Sequence, residues 1–389
     1  MKDIEACRFR LDVPQAELDD LAQRLARTRL PSREPAGGAP WEFGTPLAYM
    51  REVLGYWRER YDWRAQEAKL NRLAHYRLKT GDLTVHAVVE PGSGPNPLPL
   101  ILTHGWPGSL IEFAEMVEPL AHPERFGGDV ANAFTVVAPG LPGYGWSDPP
   151  AAGPISPRDV GVMWHDLMRN TLGFDRYVAH GSDWGAAVTS WLAADNPEGL
   201  DAIHLTLGIL RASPAPGDRP LDEEEQAHVQ RQTAKMVGET GYSGIHGTRP
   251  QTLAYGLTDS PVGLAAWILE KFQRWSDAYG RDAPPPMDLD HLITNVMFHW
   301  LPEPGPAYWM YRYLVDGSGF ILPPGKRIET PTHICLFPAD ISGPAPRQMI
   351  ERTYDVASYA VAPSGGHFPG LDAPTHLVDS LRTTLKSYR

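Results

Sequence analysis

The stretch Gly181-Ser182-Asp183-Trp184-Gly185 constrains the fold of this chain more than any other. It follows a short apolar run at 177–179 and a His-Gly pair, and an apolar helical pattern begins at Ala186. Glycines on both sides of the central residue permit a tight, strained strand-to-helix turn that lifts the middle side chain above a sheet. Such a turn needs a sheet beneath it, and the neighbouring sequence supplies the pattern. Short apolar runs at 83–89, 98–102, 134–138 and 177–179 alternate with helical stretches at 161–172 and 186–194. Strands alternating with helices predict βαβ units and a parallel sheet.

The rest of the chain divides around this core. Residues 1–82 read as helix and loop, with Leu18, Leu21, Leu25 and Leu30 at roughly helical spacing after Val13-Pro14. Trp41, Tyr49, Tyr56, Trp57, Tyr61 and Trp63 follow, and aromatics so spaced predict an arm packed on a larger body. After a first core segment at 83–207, the rhythm breaks. Residues 208–315 open on a proline-rich acidic loop at 213–225 and turn helical at 262–272 and 289–300. A helical insertion in an α/β chain is expected to cover the active site as a lid. Strand-like runs at 333–337 and 359–362 and a last helix at 375–387 complete the core within 316–389. A length of 389 residues suits a core plus an insertion.

Charge and cysteine content exclude several classes. The chain has 35 basic and 47 acidic residues, a formal charge of −12, which repels phosphate backbones and anionic lipid. Neither nucleic acid nor a membrane surface is an expected partner. Cys7 and Cys335 lie far apart and in no metal-ligand spacing, so free thiols are expected instead of a disulfide framework. The first twenty residues carry scattered charges and no apolar core of a signal peptide, and no run of 18 apolar residues occurs. The expected location is the cytoplasm.

Four motifs carry chemistry. At the centre of the turn stands Asp183, and a carboxylate there can attack a carbon bearing a leaving group to form an alkyl ester. His104-Gly105-Trp106-Pro107-Gly108 follows an early strand, where one oxyanion donor is expected; the other comes from the residue after the nucleophile. These donors would be the backbone N–H groups of Trp106 and Trp184, since Pro107 has none. His367, in the glycine-rich Ser364-Gly365-Gly366-His367-Phe368, matches the chain order nucleophile, acid, histidine and would take a proton from water. Asp340, in Phe337-Pro338-Ala339-Asp340, directly follows a strand end and is preferred over Asp355 and Asp372 as its carboxylate partner. The glycines of 139–147 predict a tight turn, not a phosphate loop, because no Lys-Ser/Thr follows.

In this combination and order, the four motifs resemble the microsomal-type epoxide hydrolases, and the aromatic arm resembles the extension of that branch. The resemblance implies an α/β-hydrolase fold with a mainly parallel sheet, helical lid and N-terminal arm. It implies a small-molecule epoxide and water as partners, hydrolysis to a vicinal diol, and no metal or organic cofactor. It also implies two lid tyrosines that protonate the epoxide oxygen. Gly241-Tyr242, ahead of His246-Gly-Thr-Arg-Pro250, points to Tyr242, and Tyr311-Arg312 fits the second, with Tyr313 and Tyr308 in reserve. The aromatics of the insertion suggest an apolar, aryl-compatible substrate; a homodimer is left open. A haloalkane dehalogenase would use the same nucleophile and base, but usually has Asn where this chain has Trp106. A serine esterase is disfavoured by aspartate at the turn, and a non-catalytic binder by the complete catalytic set.

Overall fold

The computed structural model describes residues 1–39, 41–195, 197–211 and 219–389. The acidic loop expected at 213–225 lies outside the described residues from 213 to 218. Eight strands form one sheet: β1 (His75–Thr80), β2 (Leu83–Glu90), β3 (Leu98–Thr103), β4 (Phe134–Pro139), β5 (Tyr177–Gly181), β6 (Leu200–Leu205), β7 (Ile328–Leu336) and β8 (Tyr354–Val361). Their order is β1-β2-β4-β3-β5-β6-β7-β8. β1, β2 and β4 pair antiparallel, and every pair from β4 to β8 is parallel. β3, β4 and β5 are almost wholly buried apolar runs, as strands covered on both faces must be. The carboxyl ends of the parallel strands therefore share one edge, where open α/β sheets place their ligands.

β1 departs from the helix-and-loop expectation for residues 1–82. Its sequence His-Tyr-Arg-Leu-Lys-Thr puts charges on an edge strand whose one ladder is to β2, so it lacks a buried apolar signature. Elsewhere in that segment lie α1 (Gln15–Ala26), α2 (Leu47–Glu59) and α3 (Trp63–Leu70). Leu21 and Leu25 are buried, whereas Leu30 falls beyond the end of α1. Trp41, Tyr49, Trp57 and Trp63 are buried, and Tyr56 and Tyr61 partly so. β7 and β8 begin five residues earlier than the runs read from sequence, at Ile328 and Tyr354.

Among the core helices, α4 (Pro157–Asp166) starts at a Ser156/Asp159 capping box, and α5 (Trp184–Asp195) follows the turn after β5. Residues 184–194 are all buried, so α5 lies beneath other layers. Between β6 and β7 come α6 (Glu223–Met236), α7 (Gly241–Thr248), α8 (Pro250–Asp259), α9 (Pro261–Arg274) and α10 (Leu289–Trp300), then a 3-10 turn at Gly305–Tyr311. The arm docks on α10: Tyr56 donates to Asp290 at 2.9 Å, and the Tyr61 and Thr294 hydroxyls are 3.0 Å apart. The last long helix, α11 (Pro374–Thr384), packs near β7. Among the described residues, no helix is long and apolar enough to cross a membrane.

Candidate active site

Loops after β3, β5, β7 and β8 meet at the carboxyl edge of the sheet. Asp183 stands at φ +48°, a left-handed conformation that costs any residue with a Cβ. Its glycine neighbours make the turn sterically feasible. A Cβ on Gly185 would lie 1.9 Å from the Thr103 carbonyl, and one on Gly105 would lie 2.1 Å from Asp183 Oδ1.

The carboxylate of Asp183 is held from two sides. Trp106 N–H donates to Oδ1 at 2.8 Å, and Oδ2 lies 3.2 Å from His367 Nε2. On the far side of the imidazole, Nδ1 is 2.6 Å from Asp340 Oδ2. Asp340 in turn accepts from the Ser342 amide at 2.7 Å and from the Ser342 hydroxyl. The His367 amide donates to the Trp275 carbonyl at 2.8 Å, which ties this loop to α9. Of the competing carboxylates, Asp355 is exposed on β8, and Asp372 accepts from the Gly366 amide at 2.8 Å. Trp184 opens α5 beside Asp183, and a first-turn N–H has no acceptor within its own helix.

The tyrosines come from the inserted helices. Tyr242, on α7, stacks on the Trp106 indole with centroids 4.8 Å apart and planes at 14°. Lys271 Nζ lies 4.6 Å from the centre of the Tyr242 ring. Tyr311 ends the 3-10 turn, 5.7 Å from the Tyr242 ring and edge-on to Trp184 at 4.9 Å. Tyr308 stacks on His246, and the Tyr313 hydroxyl donates to the Pro154 carbonyl at 3.2 Å. Of the three, Tyr311 is the one in ring contact with both Tyr242 and Trp184.

Comparison with known proteins places the chain in a family. Residues 6–113 match the family described as epoxide hydrolase N terminus, and residues 99–282 match the alpha/beta hydrolase fold. The chain is 31% identical to epoxide hydrolase 1 of Oryctolagus cuniculus over 94% of this chain and 85% of that one. The chain belongs to the epoxide hydrolase family. It is also 38% identical to a Stigmatella aurantiaca protein provisionally named an epoxide hydrolase, over 98% of this chain and 85% of the other. The structure of Aspergillus niger epoxide hydrolase superposes with a TM-score of 0.84 at 28% identity, covering 98% of this chain and 96% of that one.

In this family member, burial and charge set the state of each group. Burial alone would lower the His367 pKa, but the Asp340 and Asp183 carboxylates outweigh it and push the imidazole up to about 10. Glu112, 2% exposed and 3.2 Å from the Ser182 hydroxyl, is pushed up to about 8, chiefly by burial. His104 is lowered to about 4, chiefly by burial, and its Nε2 accepts from the Leu141 amide at 3.1 Å. It is thus a neutral strut between two loops.

The His367 shift has a stability consequence. A pKa raised on folding contributes stability that is complete below the unfolded value and lost as pH rises through the folded one. Relative to His367→Gln, the wild-type advantage in Tm should be full below pH 6.5 and decline up to about pH 10. Paired melting curves across that range check this. A difference in Tm that stays flat contradicts it.

Sequence reasoning missed the supports of the Trp106 loop. Asn295 Nδ2 donates to the Pro107 carbonyl at 2.7 Å, and His299 Nε2 lies 3.0 Å from the same oxygen. These partners are 188 and 192 residues from Pro107, beyond any local motif. The available signal was two polar residues at i and i+4 among the buried Leu292, Ile293, Val296, Met297 and Phe298 of α10.

Proposed function

We propose that this chain hydrolyses an apolar epoxide to a vicinal diol through an ester on Asp183, beneath a lid formed by the described residues of 208–315. The observation that supports this best is the Asp183 carboxylate held between the Trp106 N–H and His367, itself backed by Asp340. Asp183 Oδ1 rests on the Trp106 amide, the place suited to an ester carbonyl oxygen, so Oδ2 attacks. Its electron pair forms a bond to one epoxide carbon as that carbon's bond to the ring oxygen breaks. The oxygen takes a proton from Tyr242 or Tyr311, leaving a phenolate.

Esterification also alters His367. Asp183 contributes to its raised pKa through both hydrogen bonding and charge, and the ester carries no charge. The imidazolium therefore becomes more acidic and gives its proton to the phenolate. Neutral His367 then accepts a proton from water as hydroxide adds to the ester carbon. The oxyanion is stabilised by the Trp106 and Trp184 amides, each such donor being worth roughly 3–4 kcal/mol. Collapse expels the diol oxygen, which takes the proton of the regenerated Asp183 acid. The site returns to its starting protonation, with one water consumed.

The exposed free Cys7 is compatible with action in the reducing cytoplasm. Activity is tested with styrene oxide and 1-chlorohexane. Diol should form without halide release, and Tyr242→Phe and Tyr311→Phe should each lower epoxide kcat by about 100-fold. Halide release at an equal or greater rate would favour a dehalogenase, for which the two phenols have no proton to deliver.

A further inference from the structure

His246 and Tyr308 lie beside the reacting groups but take no part in the steps above. The His246 ring stacks on Tyr308 at 4.2 Å, stands edge-on to Trp106 at 4.7 Å, and lies 4.8 Å from Tyr311. Trp106 and Tyr308 are themselves 6.3 Å apart, so the rings form one cluster. His246, Tyr308 and Trp106 are all 0% exposed. Even so, among the described residues Trp106 Nε1, His246 Nδ1 and the Tyr308 hydroxyl find no hydrogen-bond partner. Buried polar groups are almost always paired, and leaving one unpaired is costly. The Tyr311 hydroxyl of the same cluster is likewise without a partner among the described residues and is assigned above to the epoxide oxygen; the other three, in one ring cluster beside the proposed nucleophile, point to a second partner supplied by the ligand.

The chemistry of that partner follows from the donors. Trp267 Nε1 donates to His246 Nε2 at 3.0 Å, so Nε2 is the acceptor and Nδ1 carries the hydrogen. Burial above all, with Lys271 and His299 nearby, lowers the His246 pKa to about 3, so the ring stays neutral. An indole N–H only donates, a phenol O–H can donate, and the cluster therefore calls for an acceptor oxygen. An anion is disfavoured by the Asp183 carboxylate, which the Trp106 amide touches at 2.8 Å. We propose that Trp106 Nε1, His246 Nδ1 and the Tyr308 hydroxyl form a polar subsite for a neutral ether or carbonyl oxygen close to the epoxide. This rests on the epoxide hydrolase reading and narrows its substrate class. The substrate is apolar along most of its length but carries one acceptor oxygen a bond or two from the ring.

The test uses two epoxides of equal chain length, butyl glycidyl ether and 1,2-epoxyoctane, which differ by an oxygen in place of a methylene. Wild-type kcat/KM should favour the ether by about tenfold or more. In Tyr308→Phe and His246→Phe that ratio should fall by about fivefold. Tyr308→Phe removes a hydroxyl with no protein partner among the described residues, so its Tm should be unchanged or higher, which keeps the experiment interpretable even where His246→Phe folds poorly. Turnover of both epoxides with the same ratio in wild type and Tyr308→Phe overturns the subsite alone. Turnover of neither overturns the hydrolase reading and the subsite with it.

Discussion

Replacing Asp183 with alanine should lower kcat on any epoxide substrate by about ten-thousand-fold or more. The side chain is the one group placed to form a bond to carbon, and neither the amide donors nor the phenols can replace a missing nucleophile. Its loss also leaves the His367 imidazolium with Asp340 as its close carboxylate partner, so the His367 pKa should fall from about 10. The fold should survive, because the left-handed turn is shaped by Gly105, Gly181 and Gly185 and not by the carboxylate. Steady-state assay and a melting curve on the same preparation check both halves. Substantial residual activity in a folded variant would mean that another group attacks the epoxide.

Asp340→Asn should give the second largest loss, concentrated in one step. The carboxylate accepts from His367 Nδ1 at 2.6 Å, so the proton lost after esterification is the one on Nε2, the nitrogen facing Asp183, which then has the lone pair needed to activate water. An asparagine amide can donate to Nδ1 instead, which moves the ring hydrogen to Nε2 and removes the base. A change of that kind costs about ten-thousand-fold in a related triad. Attack on the epoxide does not need that lone pair, so the ester should form and then persist. Rapid mixing should show a burst of one equivalent of epoxide consumed, followed by very slow diol release. A uniform loss of both phases would place Asp340 in a structural role.

Much of this was legible because the chemistry is local in sequence. The turn at 181–185 announces a strand before it and a helix after it, and Asp340 and His367 lie in the loops that follow β7 and β8. What stayed hidden depends on distant packing. β1 has an edge strand's mixed composition, with Arg77 paired to Asp148, and so offers no apolar run. Asn295 and His299 act on a loop brought to α10 by the fold alone. The 3-10 turn at Gly305–Tyr311 brings Tyr308 and Tyr311, three residues apart, onto one face beside Trp106, and the further contacts of Tyr311 with Tyr242 and Trp184 come from tertiary packing that no local pattern announces. The sequence pointed to Trp106 as a backbone donor, but not to its buried indole N–H, which has no partner among the described residues.

The most direct test of the covalent route is the mass of a His367→Gln variant after incubation with styrene oxide. Without the imidazole, water has no base beside Asp183 and the ester should accumulate. The intact mass should rise by one whole epoxide, and peptide mapping should place the addition on the fragment holding Asp183. Diol formed at a rate near that of wild type, with no adduct at Asp183, would contradict the account.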